Sequence, residues 1–411
     1  MGLERFSPED DIFANEEVLR DTHTPEELLE RDEQLSEYQN ALKPVIKGTR
    51  PKNIFLVGQT GVGKTVASRL IRERLEIDQQ AFDHLDVDFV YLNCKKLGTS
   101  YSVAANLVNC FRDLDNQIAT TGYPPDMIYN MLYQELRNQD ATHVLIILDE
   151  VDSIGGDDDI LYELPRCNDN GDVPPDETYV GVIGISNDFT FRDSLSARVK
   201  DTLCEEEIHF PPYDATQLRT ILADRAESAF KPGVLTSDVI PLCAAMAGQE
   251  SGSARQALRI LYKAGDLARS EEAPLVSEDH VRKAEPLVKE NKVTQELEKL
   301  PTQGHLTLYA VMQLHARGEL PAKSVDIYQE YKKAAAAIDI EIKTDRTIRD
   351  RLSDLKLKGF LTVTRENRGE EGGRYDLYNI GNIEPETINS VLQSVDRLET
   401  LYESQSSLSS Y

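Results

Sequence analysis

The sequence predicts an α/β fold followed by an all-α domain and a C-terminal winged-helix domain. The pattern of helical and strand-like segments changes along the chain and predicts each of these domains in turn. From residue 53 to 187, four short apolar runs, "NIFLVG", "FVYLNC", "HVLIILDE" and "YVGVIGISN", alternate with helical stretches, which is typical of a parallel sheet covered by helices. From about 214 to 290 only helical periodicity is present. After residue 300, helices precede two strand-like runs at 359–380 that flank the glycine- and charge-rich tip "RENRGEEGGR".

These changes of pattern place the domain boundaries. We predict a flexible leader at residues 1–23, an α/β domain at 24–212, an all-α domain at 213–295, a winged-helix domain at 296–385, and a C-terminal helix and tail at 386–411. The first helix is expected to begin at Thr24, because Pro25 suits the first helical position and two acids follow it.

Composition excludes several classes of protein. The 411 residues are 40% hydrophobic and 28% charged, as in ordinary globular chains, and the longest apolar runs are strand-sized. The first residues are acidic, whereas a signal peptide needs a basic start and then an apolar block. Five dispersed cysteines predict neither a disulfide framework nor a zinc site. We therefore expect a cytoplasmic protein with no membrane partner.

The formal net charge of −27 bears on the choice of partners. An acidic surface repels polyphosphates, so the charge taken alone argues against nucleic acid. The alternative is a surface adapted to high intracellular salt, where a Debye length of about 3 Å at 1 M leaves little repulsion between separated charges.

The run "GQTGVGKT" at residues 58–65 fits the Walker A pattern G-x-x-x-x-G-K-[ST] and lies between a predicted strand and a predicted helix. The glycines allow a tight loop whose backbone N–H groups face phosphate oxygens. Lys64 is expected to reach the β- and γ-phosphates, and the Thr65 hydroxyl to ligate Mg²⁺. The predicted nucleotide contacts in this loop are Gly58, Gly61, Val62, Gly63, Lys64, Thr65 and Val66.

Two later strands end in polar residues that suit the same chemistry. "VLIILDEVD" ends in Asp149, placed to hold Mg²⁺, and Glu150, which can orient the attacking water. Asn187 ends the strand in "GISND" and is placed to position that water or contact the γ-phosphate. The alternatives are solvated acids at a strand end and a turn-forming asparagine. Asp152 is interpreted as a helix cap or loop acid.

Together with "RDSLSARVKDTL" and "GSARQAL", these motifs resemble the AAA+ ATPases. In that family an arginine after the asparagine-tipped strand acts on the nucleotide of a neighbouring subunit, and an arginine of the helical lid contacts the γ-phosphate. The resemblance assigns these roles to Arg198 and Arg255. The fold it implies is an AAA+ P-loop domain with a parallel sheet, an all-α lid domain, and the winged helix.

Residues 31–65, "SNDFTFRDSLSARVKDTL" and "GSARQALRILYKAGDLA" are similar to archaeal replication initiators related to origin-recognition-complex and cell-division-control ATPases. The resemblance spans about residues 24–380, and the acidic composition indicates a haloarchaeal member. It departs from the family at Glu30-Arg31-Asp32, where members often have His-Arg-Glu, and at Ala197, where proline is common. The further nucleotide contacts that it implies are Leu28, Leu29, Arg31, Tyr213 and Arg225. Each arginine has an alternative role as a surface salt-bridge partner.

The resemblance also implies activity and partners. It implies slow hydrolysis of ATP to ADP, stimulated by an oligomeric neighbour, with Mg²⁺ as cofactor. The implied partners are double-stranded origin DNA, a replicative MCM-type helicase, and copies of the chain or its paralogues on DNA, which places the protein at the nucleoid. Family members carry a DNA-contacting helical element where this chain has residues 95–132, for which ordinary helical packing is the alternative.

The winged-helix region is less acidic than the rest of the chain. Residues 301–380 hold 13 Lys and Arg against 12 Asp and Glu, a net charge of +1. Cations near the second helix of a helix-turn-helix meet bases and phosphates, and a wing can contact the minor groove or the backbone. The predicted DNA contacts are Arg346, Arg349 and Lys356, together with Lys343, on the helix, and Arg365, Arg368 and Arg374 on the wing. A solvated face, with nearby glutamates cancelling the arginines, is the alternative.

Two other functions stay open from sequence. One is a nucleotide-switched DNA-binding regulator with no role in loading a helicase. The other is a protein-remodelling AAA+ ring, which the winged helix disfavours because such a ring has no need of one.

Overall fold

A computed structural model describes residues 12–203, 205–367, 374–381 and 383–402. The chain divides into two compact units, Met1–Ala284 and Glu285–Tyr411. Within the described ranges, no helix combines the length and the apolar character needed to cross a lipid bilayer.

The first unit is built on a five-stranded parallel sheet with the strand order β2-β3-β4-β1-β5. The sequence predicted four of these strands but missed β5, which is short and acidic. All residues of β1 and β3 are buried, as expected for central strands covered on both faces. Parallel pairing brings the carboxyl ends of the strands to one edge, with Asn93 opposite Asp149. The strands are β1 (Ile54–Gly58), β2 (Val87–Asn93), β3 (His143–Asp149), β4 (Tyr179–Ser186) and β5 (Glu206–Phe210).

Helices surround this sheet. α3 and the first part of α4 fall in the stretch 95–132, and they bury Val103, Leu107, Ile128 and Leu132 in the core of the domain. Leu114 between them is 86% exposed, and contact of this stretch with DNA stays a prediction. The helices are α1 (Asp32–Ile46), α2 (Lys64–Asp78), α3 (Ser100–Cys110), α4 (Pro125–Arg137), α5 (Ile160–Glu163), α6 (Phe191–Ser194) and α7 (Ala197–Leu203).

The predicted start of the first helix at Thr24 is wrong. α1 begins at Asp32, because Glu30 has φ of 62° and Arg31 has φ of −135°, and neither angle belongs to a right-handed helix. The segment before α1 is therefore free to approach the glycine loop.

An all-α lid follows the sheet. α8 begins with a capping box, in which the Asp214 side chain accepts from the backbone of Gln217 and the Gln217 side chain accepts from the backbone of Asp214. Ser253 caps α10 by accepting from the Gln256 N–H. The helices are α8 (Ala215–Ala229), α9 (Val239–Glu250), α10 (Ala254–Ser270) and α11 (Glu278–Glu298), the last of which continues past the boundary between the units.

The leader expected to be flexible up to residue 23 is ordered from residue 12 onward. Ile12 and Phe13 are buried, and the Phe13 ring packs on Phe230 with 4.9 Å between ring centroids. Asp21 pairs with Arg259 of α10. Apolar packing and ion pairing thus attach residues 12–23 to the lid, while residues 1–11 lie outside the described residues.

The second unit is a winged helix, as the sequence predicted. β6, β8 and β7 form a three-stranded antiparallel sheet in that order, and β7 and β8 pair with Val363 opposite Tyr378. Its own core includes Leu308, Ile348 and Leu352. The elements are α12 (Thr302–Ala316), β6 (Ala322–Lys323), α13 (Ser324–Ala337), α14 (Asp345–Leu357), β7 (Leu361–Asn367), β8 (Arg374–Ile380) and α15 (Pro385–Ser394).

Gly265 of α10 tests the packing of the N-terminal segment. A Cβ at this position would lie 2.5 Å from Phe13 Cζ and 2.8 Å from Phe230 Cε1. Alanine is normally favoured over glycine inside a helix by about 1 kcal/mol, whereas overpacking costs about 1–3 kcal/mol. We expect Gly265→Ala to lower the free energy of unfolding of the first unit by about 1 kcal/mol, measured by chemical denaturation.

The control is Gly304→Ala in α12, where the nearest atoms would lie 3.4 Å away and a neutral or stabilising effect is expected. In a Phe13→Ala background, Gly265→Ala should lower the free energy of unfolding by less, because Phe230 can then move into the space that the Phe13 ring leaves. Stabilisation by Gly265→Ala in the otherwise unchanged chain would contradict this packing.

Candidate active site and nucleic-acid interface

The glycine loop joins β1 to α2 and is closely packed against the lid. Gly61 and Gly63 have φ of 83° and 102°, in the left-handed region that side chains disfavour. A Cβ at Gly61 would collide with the Ser253 side chain, and the Ala254 N–H donates to the Gly61 carbonyl at 3.0 Å. The loop therefore needs glycine both for its backbone angles and for the approach of the lid.

Lys64 is buried at the centre of this loop. Its Nζ donates to the carbonyl oxygens of Gly58 at 2.6 Å and Gln59 at 2.8 Å, and to Asn187 Oδ1 at 2.9 Å. Burial lowers the pKa of Lys64 to about 8, because the ammonium is poorly solvated. An anionic group beside it would favour the charged form, so this position suits a phosphate.

Asp149 and Thr65 bring two oxygen donors together. The Thr65 hydroxyl donates to Asp149 Oδ2 at 2.9 Å, and the Glu150 N–H donates to Asp149 Oδ1 at 2.9 Å. Mg²⁺ prefers oxygen ligands and is commonly held by one or two protein groups together with substrate phosphates. This pair of residues therefore fits the metal that the sequence predicted.

Glu150 is held in an uncommon conformation. Its φ of 54° and ψ of 42° are left-handed, which costs a non-glycine residue about 1–3 kcal/mol and is often found at functional sites. Its carboxylate pairs with Lys95 Nζ at 3.2 Å. Lys95 follows β2 and is the first residue of the stretch 95–132, for which the resemblance implied contact with DNA.

Asp152 has a more specific position than a helix cap or loop acid. Its Oδ1 accepts a hydrogen bond from the Asn187 N–H at 2.9 Å, so it holds Asn187 beside Lys64. The two residues are 35 apart in sequence, and only the pairing of β3 with β4 brings them together. A local motif could not have shown this contact.

An open cleft between the sheet and the lid is lined by most of the predicted nucleotide contacts. Those that line it are Leu28, Leu29, Gly61, Gly63, Lys64, Thr65, Val66, Asp149, Glu150, Asn187, Tyr213, Arg225 and Arg255. Sequence reasoning missed Arg20, Asp21 and His23, which also line it, because it assigned them to a loose leader. The predicted contacts Gly58, Val62, Arg31 and Arg198 are not among the lining residues.

Arg31 lies behind the glycine loop. Its side chain is 2% exposed, Nε donates to the Val62 carbonyl at 3.1 Å, and Nη2 donates to the Pro211 carbonyl. Its Cζ is 3.6 Å from the centre of the Tyr213 ring, a cation–π contact. Arg31 thus supports the loop and Tyr213 from outside the cleft.

The lid contributes two arginines and a tyrosine to the cleft. Arg225 lies on α8, where burial lowers its pKa, and Arg255 lies in the first turn of α10. Tyr213 precedes α8, is 2% exposed, and donates its backbone N–H to the Gly252 carbonyl at 2.9 Å. The lid therefore presents positive charge opposite the glycine loop.

Arg198 is directed elsewhere. Arg198 is the second residue of α7 and pairs with Asp159. Its Cζ lies 4.9 Å from the centre of the Tyr162 ring. Its side chain is half exposed. Action on the nucleotide of a neighbouring subunit stays a prediction for this residue.

In the winged helix, the structure brings a helix arginine and a wing arginine to one cleft. Arg349 of α14 and Arg365 of β7 line it together with Lys323, whose Nζ lies 4.2 Å from the centre of the Tyr375 ring. Arg349 pairs with Asp345 at 2.6 Å, and Arg365 pairs with Asp376 at 3.0 Å. The sequence did not single out Lys323.

The other predicted DNA contacts are spread over the same unit. Arg346 and Lys356 are exposed on α14, and Arg374 is the first residue of β8. Lys343, which precedes α14, pairs with Glu341. Arg368 lies outside the described residues.

Comparison with known proteins identifies the family. Family models match an AAA domain at residues 47–183, a Cdc6 AAA+ ATPase-type lid domain at 219–286, and a CDC6 C-terminal winged helix domain at 295–391. The ORC1-type DNA replication protein 1 of Haloarcula marismortui is 56% identical over 98% of this chain and 97% of its own length. The chain belongs to the ORC1-type DNA replication protein family.

A further relative and a solved structure are also similar to this chain. An ORC1-type protein of Thermococcus onnurineus is 38% identical over 97% of this chain and 95% of its own length. The structure of the Aeropyrum pernix ORC1 protein in complex with DNA is 32% identical, with a TM-score of 0.81, over 96% of this chain and 100% of that one. The predicted resemblance to archaeal initiators and the predicted AAA+, lid and winged-helix fold are confirmed.

Arg31 offers a test of how this ORC1-type chain supports its loop. Lysine keeps the charge but cannot make both hydrogen bonds and the stacking contact. We expect Arg31→Lys to lower the free energy of unfolding by about 2 kcal/mol in chemical denaturation. Arg74→Lys is the matched control, since Arg74 is exposed and pairs only along its helix with Asp78, so a change within about 0.5 kcal/mol is expected. Equal effects of the two substitutions would contradict the supporting role.

Proposed function

We propose that this chain is an ATP-dependent DNA replication initiator that binds double-stranded origin DNA and helps recruit the replicative MCM-type helicase. The observation that carries the proposal is the convergence of Lys64, Asn187, Thr65 and Asp149 beneath the lid of a chain that also has a winged helix. The A. pernix relative of known structure is bound to DNA, which supports the same partner here.

The cleft would bind ATP or ADP by its phosphates. The backbone of the glycine loop and the Lys64 ammonium would face the β- and γ-phosphates, and Arg255 would add positive charge from the lid. Thr65 and Asp149 would hold Mg²⁺, which when bound neutralises charge developing on the phosphates. Glu150 would orient the attacking water by accepting its hydrogen bond, and Asn187, held by Asp152, lies beside Lys64.

Hydrolysis by the isolated chain should be slow. The Glu150 carboxylate is paired with Lys95, and the arginine that acts on this nucleotide would be the Arg198 of a neighbouring copy, which must first leave Asp159. A neighbouring copy or paralogue, or DNA, would release these groups and complete the site. Both pairs are partly exposed and so are weak enough to exchange partners.

The winged helix would read DNA with α14 in the major groove. Arg346 and Arg349 lie in the first two turns of that helix, the region that meets base edges in helix-turn-helix proteins. Lys356 and the wing residues Arg365, Arg368 and Arg374 would contact phosphates. The large negative charge elsewhere requires screening by salt, as inside a salt-adapted cell, and the protein would act at the nucleoid.

The nucleotide part of the proposal predicts two separable defects. Lys64→Ala should weaken ATP binding at least about tenfold, because a buried phosphate contact is lost. Glu150→Gln should keep ATP binding and reduce turnover about 100-fold, because the group that orients water no longer accepts a proton. Binding is measured by calorimetry and turnover by phosphate release.

The matched controls are Lys52→Ala and Glu206→Gln, which alter an exposed ion pair in the same domain. Both control variants should bind ATP and turn it over as the unchanged chain does. Unaltered nucleotide occupancy and turnover in Lys64→Ala and Glu150→Gln would refute the assignment of the site.

The DNA part predicts saturable binding to a few intergenic fragments. The full chain, with ATP and with ADP, is titrated onto labelled genomic fragments in molar potassium chloride. Changing Arg346 and Arg349 to Ala should weaken binding to the preferred fragments at least about tenfold, because each base contact contributes about 1–3 kcal/mol of discrimination.

As a control, Arg317 and Lys333 are changed to Ala, which removes the same charge from the end of α12 and from α13. This variant should keep its fragment preference. Absent or uniform binding at all salt concentrations would favour a nucleotide switch whose target is a protein. Specific binding without any contact to the helicase ring would favour the DNA-binding regulator.

A further inference from the structure

Tyr91 reaches the carboxylate at the end of the neighbouring strand. It lies on β2 opposite Ile147 of β3, and the next pair on the same face of the sheet is Asn93 with Asp149. Alternate residues of a strand point to the same side, so Tyr91 and Asp149 share the face that carries α2. The long side chain extends along the sheet, and its hydroxyl donates to Asp149 Oδ2 at 2.8 Å.

Asp149 is therefore fixed by three donors. Oδ2 accepts from the Tyr91 and Thr65 hydroxyls at 2.8 Å and 2.9 Å, and Oδ1 accepts from the Glu150 N–H at 2.9 Å. Thr65 belongs to the Walker A loop and Glu150 follows Asp149 directly. Tyr91 comes from neither motif, which is why the sequence did not indicate it.

Packing does not account for this tyrosine. Tyr91 is 44% exposed, and it lines an open cavity beside Ser68, Arg69 and Arg72 of α2. A half-exposed ring excludes little apolar area from water. Its specific contact is the hydrogen bond to a charged carboxylate, which is stronger than one between neutral groups.

We propose that Tyr91 is a positioning residue that holds Asp149 Oδ2 toward Thr65, so that the two oxygens are arranged in advance to share a divalent cation with a bound nucleotide. The inference rests on the proposed function, since it concerns the Mg²⁺-dependent part of nucleotide binding at the same cleft. Groups that orient metal ligands commonly change metal affinity by about 10–100-fold when they are removed. Nucleotide contacts made by the glycine loop and the lid do not involve Tyr91.

The test separates the two parts of binding in the full-length chain. ADP is titrated by calorimetry in excess EDTA and then at graded MgCl₂ concentrations, at constant potassium chloride, so that no turnover is involved. Tyr91→Phe removes the hydroxyl and keeps the ring. We expect the MgCl₂ concentration for half-maximal enhancement of ADP affinity to rise about tenfold, while affinity in EDTA stays within about twofold.

Tyr38→Phe is the matched control. The Tyr38 hydroxyl donates to Ser68 Oγ of α2 at 3.3 Å and does not contact Asp149. Both variants thus lose one tyrosine hydroxyl and keep the ring, but only Tyr91→Phe loses a hydrogen bond to Asp149. Tyr38→Phe should leave the MgCl₂ midpoint unchanged.

The outcomes distinguish this inference from the proposed function. If the unchanged chain binds ADP with Mg²⁺ dependence and Tyr91→Phe has the same midpoint, the positioning role is wrong and the nucleotide site stands. If Tyr91→Phe loses affinity equally in EDTA and in MgCl₂, the residue has only a structural role and the inference is again wrong. If the unchanged chain binds no ADP, the proposed function fails and the inference fails with it.

Discussion

The buried ammonium group of Lys64 is the constraint on which the rest of the cleft depends. A charge removed from water must be solvated by protein groups, and three oxygens from two strand ends do so here. Gly58 and Gln59 come from the end of β1, and Asn187 follows β4 next to it in the sheet. Asp152, after β3, fixes Asn187 in turn. The strand order thus brings together the oxygens that accept hydrogen bonds from the Lys64 ammonium.

A second constraint is the close approach of the lid to the glycine loop. The Ala254 N–H bonds to the Gly61 carbonyl, and Arg31 fills the space behind the loop against Tyr213. Residues 12–23 pack on the lid, and Arg20, Asp21 and His23 of this segment line the cleft. The loop, the lid and the N-terminal segment are therefore packed against one another around the cleft.

Charge is distributed differently in the two units. The chain carries a net −27, yet the winged-helix region at 301–380 is nearly neutral, with 13 basic and 12 acidic residues. Its arginines are held by neighbouring acids, such as Asp345 beside Arg349 and Asp376 beside Arg365. These pairs are partly exposed, so phosphates can compete for the arginines at little cost. In the proposed function, salt would screen the acidic surface while this region binds DNA.

The sequence by itself determined the α/β, lid and winged-helix order, the glycine loop, and the acids and amide that end the strands. These depend on periodicity and on motifs whose residues are neighbours in the chain. Only the tertiary structure decided that Asp152 holds Asn187, that Tyr91 and Thr65 share Asp149, that Arg31 lies behind the loop, and that Arg20, Asp21 and His23 line the cleft. The physical reason is that strand pairing and packing join residues tens to hundreds of positions apart. No local pattern records such contacts.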